Sequence, residues 1–264
     1  MISYNNVNVW FNAGTPMENH ALKDLSVEIK EGDFVTVIGS NGAGKSTMLN
    51  ALAGTIPVQD GKIEIDGVNV INWSAARRSS LIAQVFQDPM AGTCADLSVE
   101  ENMAVAYRRG QRRSLSLGLN KNIRNEFRDY LSVLGMGLEN RLKDPIGLLS
   151  GGQRQTISLL MAVLSPMKIL VLDEHTAALD PKMADLVLNL TKRIVEERNL
   201  TVLMITHSMH QALNIGNRTV MMHHGRVMFD IKGEERSELS VPKLLEKFKK
   251  ATGSEIDEDK LALD

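Results

Sequence analysis

Between residues 39 and 47 the chain reads Gly39-Ser40-Asn41-Gly42-Ala43-Gly44-Lys45-Ser46-Thr47. Glycine, four residues, glycine, lysine and then serine or threonine is the pattern of a loop that binds phosphate groups. The apolar residues 34–38 before it are predicted to form a buried strand, and residues 45–53 after it a helix that Gly54 ends. Glycines let backbone N–H groups turn toward an oxyanion, and the helix N-terminus adds a positive dipole end. The stretch predicts binding of a nucleoside triphosphate.

Two side chains of this loop have a predicted role of their own. Lys45 supplies a positive charge for the β- and γ-phosphates, and Ser46 offers a hydroxyl to Mg2+. The alternative is a glycine-rich turn that matches the pattern by accident. The strand before the loop and the helix after it argue against that alternative.

A second apolar strand, predicted at residues 168–172, ends in two acids, Asp173 and Glu174. A carboxylate at this position can hold the Mg2+ that Ser46 also binds, which makes Asp173 the metal candidate. The acid that follows can face the γ-phosphate and polarise an attacking water, so Glu174 is the candidate base. A strand ending in Asp-Glu is by itself a common surface feature, and only the phosphate loop upstream makes this one a candidate site.

A helix start with two glycines follows Leu149. Ser150 can cap this helix and Gln153 can complete a capping box, while Gly151 and Gly152 expose backbone N–H groups. This arrangement predicts a second anion-binding site. The alternative is an ordinary capped helix that leads into the apolar run at residues 157–164.

The rest of the chain predicts an α/β fold. Residues 1–36 contain short β-prone pieces around turns, and the strand at residues 62–65 lies between two Asp-Gly turns, as in an antiparallel hairpin. Residues 87–148 have helix patterns without strand signals, and strands and helices alternate after them, which favours a largely parallel sheet. We therefore predict one domain over residues 1–252, with a core of residues 1–86 and 149–230, a helical subdomain at about 87–148 and a loose tail at 253–264.

In combination these motifs resemble the ATP-binding subunits of ATP-binding cassette (ABC) transporters over about residues 1–230. The family has a P-loop NTPase core with an antiparallel β subdomain and a helical insertion. Its motifs match this chain in the following order: the Walker A loop at residues 39–47, the Q-loop glutamine Gln87, the signature at 149–153, the Walker B acids Asp173 and Glu174, the D-loop at 177–180 and the switch histidine His207.

The resemblance implies that ATP and Mg2+ are the cofactors. It gives catalytic roles to Glu174, His207 and Gln87, and metal contacts to Ser46, Gln87 and Asp173. In the family an aromatic ring stacks on adenine; Phe11 matches this position best, with Tyr4 and Trp10 as open alternatives. The matching ATP contacts are Phe11, Gly39, Ser40, Asn41, Gly42, Ala43, Gly44, Lys45, Ser46, Thr47, Ser150, Gly151, Gly152 and Gln153.

The resemblance also implies partners. Family members form ATP-dependent head-to-tail homodimers, in which Lys45 of one copy and Ser150 of the other enclose each ATP, and they work with a transmembrane permease at the cytoplasmic face of the cell membrane. This chain departs from the common pattern at His175, Thr156 and Met161, where proline and two arginines are usual. With these residues the chain resembles a smaller bacterial group of uptake ATPases. Members of that group work with a lipoprotein substrate-binding protein, and some are assigned to aromatic amino acids. We expect import of a small solute such as an amino acid.

Composition limits the other functional classes. The net charge of the 264 residues is −2, so no overall basic field attracts nucleic acid, and a single cysteine, Cys94, excludes an internal disulfide. No apolar run is long enough to cross a bilayer. A soluble ABC ATPase acting on DNA or ribosomes remains the alternative, and a purely regulatory nucleotide switch is a third possibility. The basic run at residues 108–113 is predicted to be a solvated loop, with a membrane-facing loop as the alternative.

Overall fold

The computed structural model describes residues 1–111 and 119–252. Contacts between residues divide the chain into two compact units, one of residues 1–78 together with the chain from residue 199 onward, and one of residues 79–198. The tail predicted at 253–264 lies outside the described residues, as do Arg112 and Arg113 of the basic run.

Residues 1–78 contain the first antiparallel strands and the first helix of the chain. Their elements are β1 (Ile2–Phe11), β2 (Asn19–Ile29), β3 (Phe34–Ile38), α1 (Lys45–Ala53), β4 (Asp60–Ile65), β5 (Val68–Asn69) and α2 (Ala75–Arg78). One antiparallel sheet has the order β2-β1-β4-β5. This sheet is the predicted antiparallel β subdomain, and the β4–β5 hairpin turns at the Asp66-Gly67 pair as predicted.

The prediction of short β pieces before residue 36 is wrong, because β1 and β2 are 10 and 11 residues long. Register shifts interrupt their pairing, and Asn6 and Asp24 adopt the left-handed backbone conformation within the strands, with φ of 49° and 52°. Such bulges add a residue without ending a strand. The polar residues that interrupt the alternation in the sequence are therefore accommodated inside longer strands.

Residues 79–198 form the second unit, which is rich in helices. Its elements are β6 (Ile82–Val85), α3 (Val99–Tyr107), α4 (Lys121–Ser132), α5 (Gly151–Val163), β7 (Ile169–Asp173) and α6 (Pro181–Arg198). Strands β6 and β7 pair in parallel. The helices predicted between residues 87 and 148 are confirmed within the described residues, where the strand-like pairing is limited to the bridge between Ser98 and Pro145.

The last part of the chain returns to the first unit. Its elements are β8 (Thr201–Ile205), α7 (Met209–Asn214), β9 (Arg218–His223), β10 (Arg226–Lys232), α8 (Gly233–Ser237) and α9 (Val241–Thr252). Strand β3 lies between β8 and β9 and is parallel to both, while β10 is antiparallel to β9. All five residues of β3 are buried, as a strand with neighbours on both sides and cover on both faces requires.

The final helix, α9, was not predicted from the sequence. Its residues Leu244 and Phe248 are buried in one apolar cluster with Ile38, at the end of β3, and with Met209 of α7. Burying a large apolar side chain stabilises a fold by about 1.5–3 kcal/mol. This helix is therefore part of the core that supports the first unit.

Within the residues that the structure describes, no helix is both long enough and apolar enough to cross a lipid bilayer.

Candidate nucleotide-binding site

The glycine-rich loop of residues 39–44 joins the end of β3 to the start of α1, as predicted. Two of its glycines are required by close contacts. A Cβ at Gly39 would lie 2.1 Å from the carbonyl oxygen of Met222, and a Cβ at Gly44 would lie 2.7 Å from that of Ala21. Both glycines have positive φ, of 149° and 96°, which side chains disfavour. The loop is thus compact and its backbone is open on the side away from these neighbours.

The positive groups of this loop converge. Lys45 is 6% exposed, and its ammonium donates to the carbonyl oxygens of Gly39 at 2.7 Å and Ser40 at 3.1 Å. The first turn of α1 reads Lys-Ser-Thr-Met, so its own residues place no carboxylate against the positive end of the helix dipole. A buried cation, a helix N-terminus without a side-chain cap and a loop without side chains at two positions fit a triphosphate chemically.

His207 lies in the same unit as the loop. Strands β3 and β8 are parallel, with Val37 paired to Ile205, so both strands end at the same edge of the sheet. His207 is partly exposed two residues beyond Ile205, and the next residue, Ser208, caps α7 by accepting from the backbone N–H of Gln211. The structure therefore brings His207 to the edge from which the phosphate loop starts.

The three aromatic candidates differ in their surroundings. Tyr4 is 1% exposed and its hydroxyl donates to the carbonyl oxygen of Met48, so its ring has no open face for a base. Trp10 stacks on His20, with ring centroids 4.1 Å apart. Phe11 at the end of β1 is 37% exposed. Exposure leaves Phe11 as the aromatic side chain able to accept a planar ligand.

In the second unit, Gln87 and the acids Asp173 and Glu174 lie at one sheet edge. Val85 of β6 pairs with Leu172 of β7. Gln87 is exposed two residues after Val85, and the partly exposed Glu174 is two residues after Leu172. Glu174 has a φ of 46°, a left-handed conformation that is uncommon outside glycine and is found often at functional positions.

The predicted helix start at residue 150 is confirmed. Ser150 accepts from the backbone N–H of Gln153 at 3.3 Å, and Oε1 of Gln153 accepts in return from the backbone N–H of Ser150 at 3.2 Å. A Cβ added at Gly151 would meet no atom of the described residues within 4 Å. No close contact within the described residues therefore requires glycine at position 151.

Two supporting residues were missed by the sequence reasoning. Gln155 is 1% exposed and its amide donates to the carbonyl oxygen of Phe86, the residue before Gln87. Arg154 donates to the carbonyl oxygens of Gly147 and Leu149 and so holds the chain that leads into α5. Such roles depend on contacts between residues distant in the sequence. The only sequence signal for them was that polar residues stand within the apolar pattern of the helix.

His175 was singled out as a departure from the usual pattern, and the structure gives it a buried position, 2% exposed. Its Nε2 lies 3.4 Å from Oγ1 of Thr191 in α6, and Thr191 donates its own hydroxyl proton to the carbonyl oxygen of Val187. The Thr191 oxygen therefore accepts from Nε2–H of His175. Burial lowers the pKa of His175 to about 4.

The basic run is only partly a solvated loop. Arg109 is partly buried and donates to the carbonyl oxygen of Ala162 at 2.6 Å. Burial lowers the pKa of Arg109. The prediction of a solvated or membrane-facing run is therefore wrong for Arg109, because its guanidinium holds the C-terminal part of α5.

Comparisons with known proteins identify the family of this chain. The family model described as ABC transporter matches residues 22–177. A tyrosine transport ATP-binding protein of Clostridioides difficile is 42% identical over 236 residues, which cover 88% of this chain and 92% of that protein. A thiamine import ATP-binding protein of Shigella flexneri is 31% identical, covering 84% of this chain and 90% of that protein.

Among solved structures, a dimeric post-hydrolysis state of the ATP-binding cassette MJ0796, bound to ADP and Pi, matches with a TM-score of 0.77 and 28% identity. The match covers 88% of this chain and 98% of that chain. Fold, family model and relatives agree on one conclusion: the chain belongs to the ABC transporter family, as an ATP-binding subunit with ATPase activity.

Proposed function

We propose that this chain energises a bacterial importer of an aromatic amino acid, with tyrosine as the first candidate, and works with a lipoprotein substrate-binding protein. The observation that carries the proposal is the 42% identity to the tyrosine transport ATP-binding protein, which extends over nearly the full length of both chains. The relative named for thiamine import is less similar, at 31%. The cargo is inferred from this relatedness.

We assign the phosphates of ATP to the loop of residues 39–47. Lys45 is the cation that faces the β- and γ-phosphates, because it already lies across the loop within hydrogen-bond distance of Gly39 and Ser40. Phe11 takes the adenine ring, since its ring is exposed whereas Tyr4 is buried and Trp10 is stacked on His20. The remaining loop residues contribute backbone N–H groups.

Mg2+ would be held by Ser46, Gln87 and Asp173. The described residues contain no group of three or more His, Cys, Asp or Glu side chains placed to bind a metal ion. Phosphate oxygens and water would complete the site, as is usual for Mg2+ bound beside nucleotides. The bound ion would neutralise negative charge on the phosphate oxygens.

Hydrolysis then depends on two side chains. Glu174 holds the attacking water and takes its proton, and it has a left-handed backbone directly after the end of β7. His207 contacts the γ-phosphate from the edge at which the phosphate loop begins. Phosphoryl transfer requires mainly positioning and charge stabilisation, which these groups provide.

The second anion-binding site would act on the ATP of a partner copy. Ser150, Gly151, Gly152 and Gln153 form a capped helix start, and contacts among the described residues do not require the glycine at Gly151. A γ-phosphate from a second copy approaching this surface would explain it. The solved structure of the cassette MJ0796 is dimeric, which supports a dimer here.

The helical segment of the second unit would bind the permease at the cytoplasmic face of the membrane. Its exposed apolar side chains favour such a partner, since large apolar residues on a surface mark binding sites when they cluster. They are Met90, Leu97, Val105, Val133 and Leu148. We expect a short helix of a permease loop to bind this segment.

The test is reconstitution of the chain with the permease and lipoprotein encoded beside it. Proteoliposomes that contain ATP should take up labelled tyrosine, and the binding protein loaded with tyrosine should raise the ATPase rate. Unlabelled phenylalanine, tryptophan and thiamine serve as competitors. Uptake that thiamine blocks and tyrosine does not would contradict the amino acid assignment.

Two controls separate the parts of this proposal. Glu174→Gln should abolish uptake while the complex still assembles, which links uptake to hydrolysis by this chain. If the chain copurified with ribosomes or DNA and did not join its neighbouring permease, the transport role itself would be wrong.

A further inference from the structure

The turn between β9 and β10 lies directly against the phosphate loop. The side-chain Oγ of Ser40 is 3.5 Å from Nδ1 of His223, a long hydrogen bond. The backbone N–H of Gly225 donates to the carbonyl oxygen of Ala43 at 3.0 Å. The space beside Gly39 is filled by the carbonyl of Met222, as described above. One short turn thus contacts the loop near its start and near its end.

This turn is itself held in place. The backbone N–H of Lys23 in β2 donates to the carbonyl oxygen of Gly225 at 2.9 Å, and a Cβ at Gly225 would lie 2.6 Å from the carbonyl oxygen of Ala21. His224 and Gly225 both have left-handed backbones, with φ of 46° and 81°. A turn with backbone contacts on both sides has little freedom to move away from the loop.

The C-terminal helix contacts the same histidine from the other side. The ring of Phe248 in α9 meets the ring of His223 edge to face, with centroids 5.9 Å apart and planes at 79°. Phe248 is 2% exposed and belongs to the cluster that contains Ile38, the residue before Gly39. His223 therefore lies between a side chain of the phosphate loop and a buried side chain of α9.

His223 can bond Ser40 in either direction. Burial and the neighbouring His224 lower the pKa of His223, which favours the neutral ring. A neutral imidazole has one nitrogen that donates and one that accepts, and a serine hydroxyl can do both. The contact with Ser40 is therefore available whichever tautomer is present.

We propose that the turn of residues 223–225 braces the phosphate loop, that His223 is a positioning residue acting through Ser40, and that α9 controls the position of His223 through Phe248. Nucleotide affinity then depends on the C-terminal helix, which contributes no residue to the predicted ATP contacts. The inference rests on ATP binding by the loop, and it does not depend on the cargo or on the permease.

The expected effect follows from preorganisation. The loop binds phosphate with several backbone N–H groups, which must point to one place together. A loop already held in that shape does not lose further conformational freedom when ATP binds, whereas an unbraced loop does. Loss of the brace should therefore weaken binding and leave the chemical step unaffected once ATP is bound.

The test uses the full-length protein and a fluorescent ATP analogue, together with steady-state ATPase kinetics. His223→Ala should raise both the Kd and the KM by about fivefold, as expected for one neutral hydrogen bond, with kcat within about twofold of wild type. His223→Asn should recover part of the affinity lost in His223→Ala, because its amide lies as many bonds from the backbone as Nδ1 does, while the ring contact with Phe248 is still missing. His210→Ala is the matched control, since His210 is exposed on α7 and bonds Asn214 within its own helix.

The contribution of α9 is tested with a double-mutant cycle. Phe248→Leu keeps an apolar side chain in the cluster and removes the ring that contacts His223, so it should raise the Kd by itself. Combined with His223→Ala it should add little, because both changes remove the same coupling. Thermal unfolding without nucleotide establishes that each variant is folded at the assay temperature.

Three results would overturn the proposal: wild-type affinity in His223→Ala, affinity in His223→Asn no higher than in His223→Ala, or full additivity of the two changes in the cycle. Lys45→Ala is included to separate this proposal from the site itself. If Lys45→Ala weakened binding and His223→Ala did not, the loop would be the ATP site but the brace would be refuted. If neither changed affinity, both the site and the brace would be refuted.

Discussion

Gln87 and Glu174 occupy equivalent positions after two adjacent parallel strands. Val85 of β6 pairs with Leu172 of β7, and Gln87 and Glu174 each come two residues after their member of that pair. Their side chains belong to segments 87 residues apart in the sequence, yet they leave the sheet at one edge. The carboxyl edge of a parallel sheet is where ligands bind in α/β proteins. This relationship places the predicted water-activating acid and the predicted metal-sensing amide together.

Glu174→Gln should keep ATP binding and lose most hydrolysis, by at least about a hundredfold, since general bases usually contribute that much. The amide cannot take a proton from water, while its size leaves the site intact. Phosphate release measured at saturating ATP checks this. Hydrolysis at the wild-type rate would show that another group is the base.

Lys45→Ala should weaken ATP binding strongly, because it removes a buried cation that lies across the phosphate loop. Titration with a fluorescent ATP analogue measures the change. Lys45→Arg is a useful companion, since it keeps the charge in a larger group. Unchanged affinity in Lys45→Ala would contradict the assignment of the whole site.

Phe11→Ala should weaken ATP binding by about fivefold to a hundredfold, as loss of one aromatic stack on a base does. Trp10→Ala should have a smaller effect on affinity, since its ring already stacks on His20. Competition between ATP and inorganic triphosphate distinguishes the roles. Binding of triphosphate should be insensitive to Phe11, and a loss of affinity for both ligands would indicate a general distortion instead.

Glu174→Gln with Mg-ATP should accumulate as a dimer, and Ser150→Arg on this background should abolish that dimer. The arginine adds bulk and removes the cap that Ser150 provides to α5. Sedimentation velocity with and without ATP reads both states directly. Lys121→Glu is the control, because it changes the charge at an exposed helix start. Ser158→Arg would not serve, because Ser158 is buried. A dimer that survives Ser150→Arg would refute the head-to-tail geometry.

Arg218→Met should lower the free energy of unfolding by about 2–4 kcal/mol. Arg218 is 4% exposed and pairs with Asp33 at 2.9 Å and with Asp230, so its removal leaves two carboxylates without their cation. Urea unfolding of Arg218→Met and of Arg226→Met provides the comparison. Arg226 makes an exposed pair with Asp24, and its loss should cost less than about 1 kcal/mol.

Many elements of the structure were predicted correctly from short sequence patterns. The phosphate loop, the helix that runs from Lys45 to Ala53, its end at Gly54 and the capping box of Ser150 and Gln153 all occur as predicted. Each depends on residues a few positions apart, where glycine, serine and glutamine have strong conformational preferences. The same patterns identified the family, and the comparisons confirm it. The domain boundaries and the roles of the site residues stay predictions.

The sequence by itself thus determined the phosphate loop, the acidic strand end and the capped signature helix, because backbone conformation over short spans follows from residue type. Only the tertiary structure decided which aromatic ring is exposed, that β6 pairs with β7, and that His223 and Phe248 lie behind the phosphate loop. These outcomes depend on packing between segments up to about two hundred residues apart, where burial and close contact choose among many residues of suitable type. No local pattern records that choice.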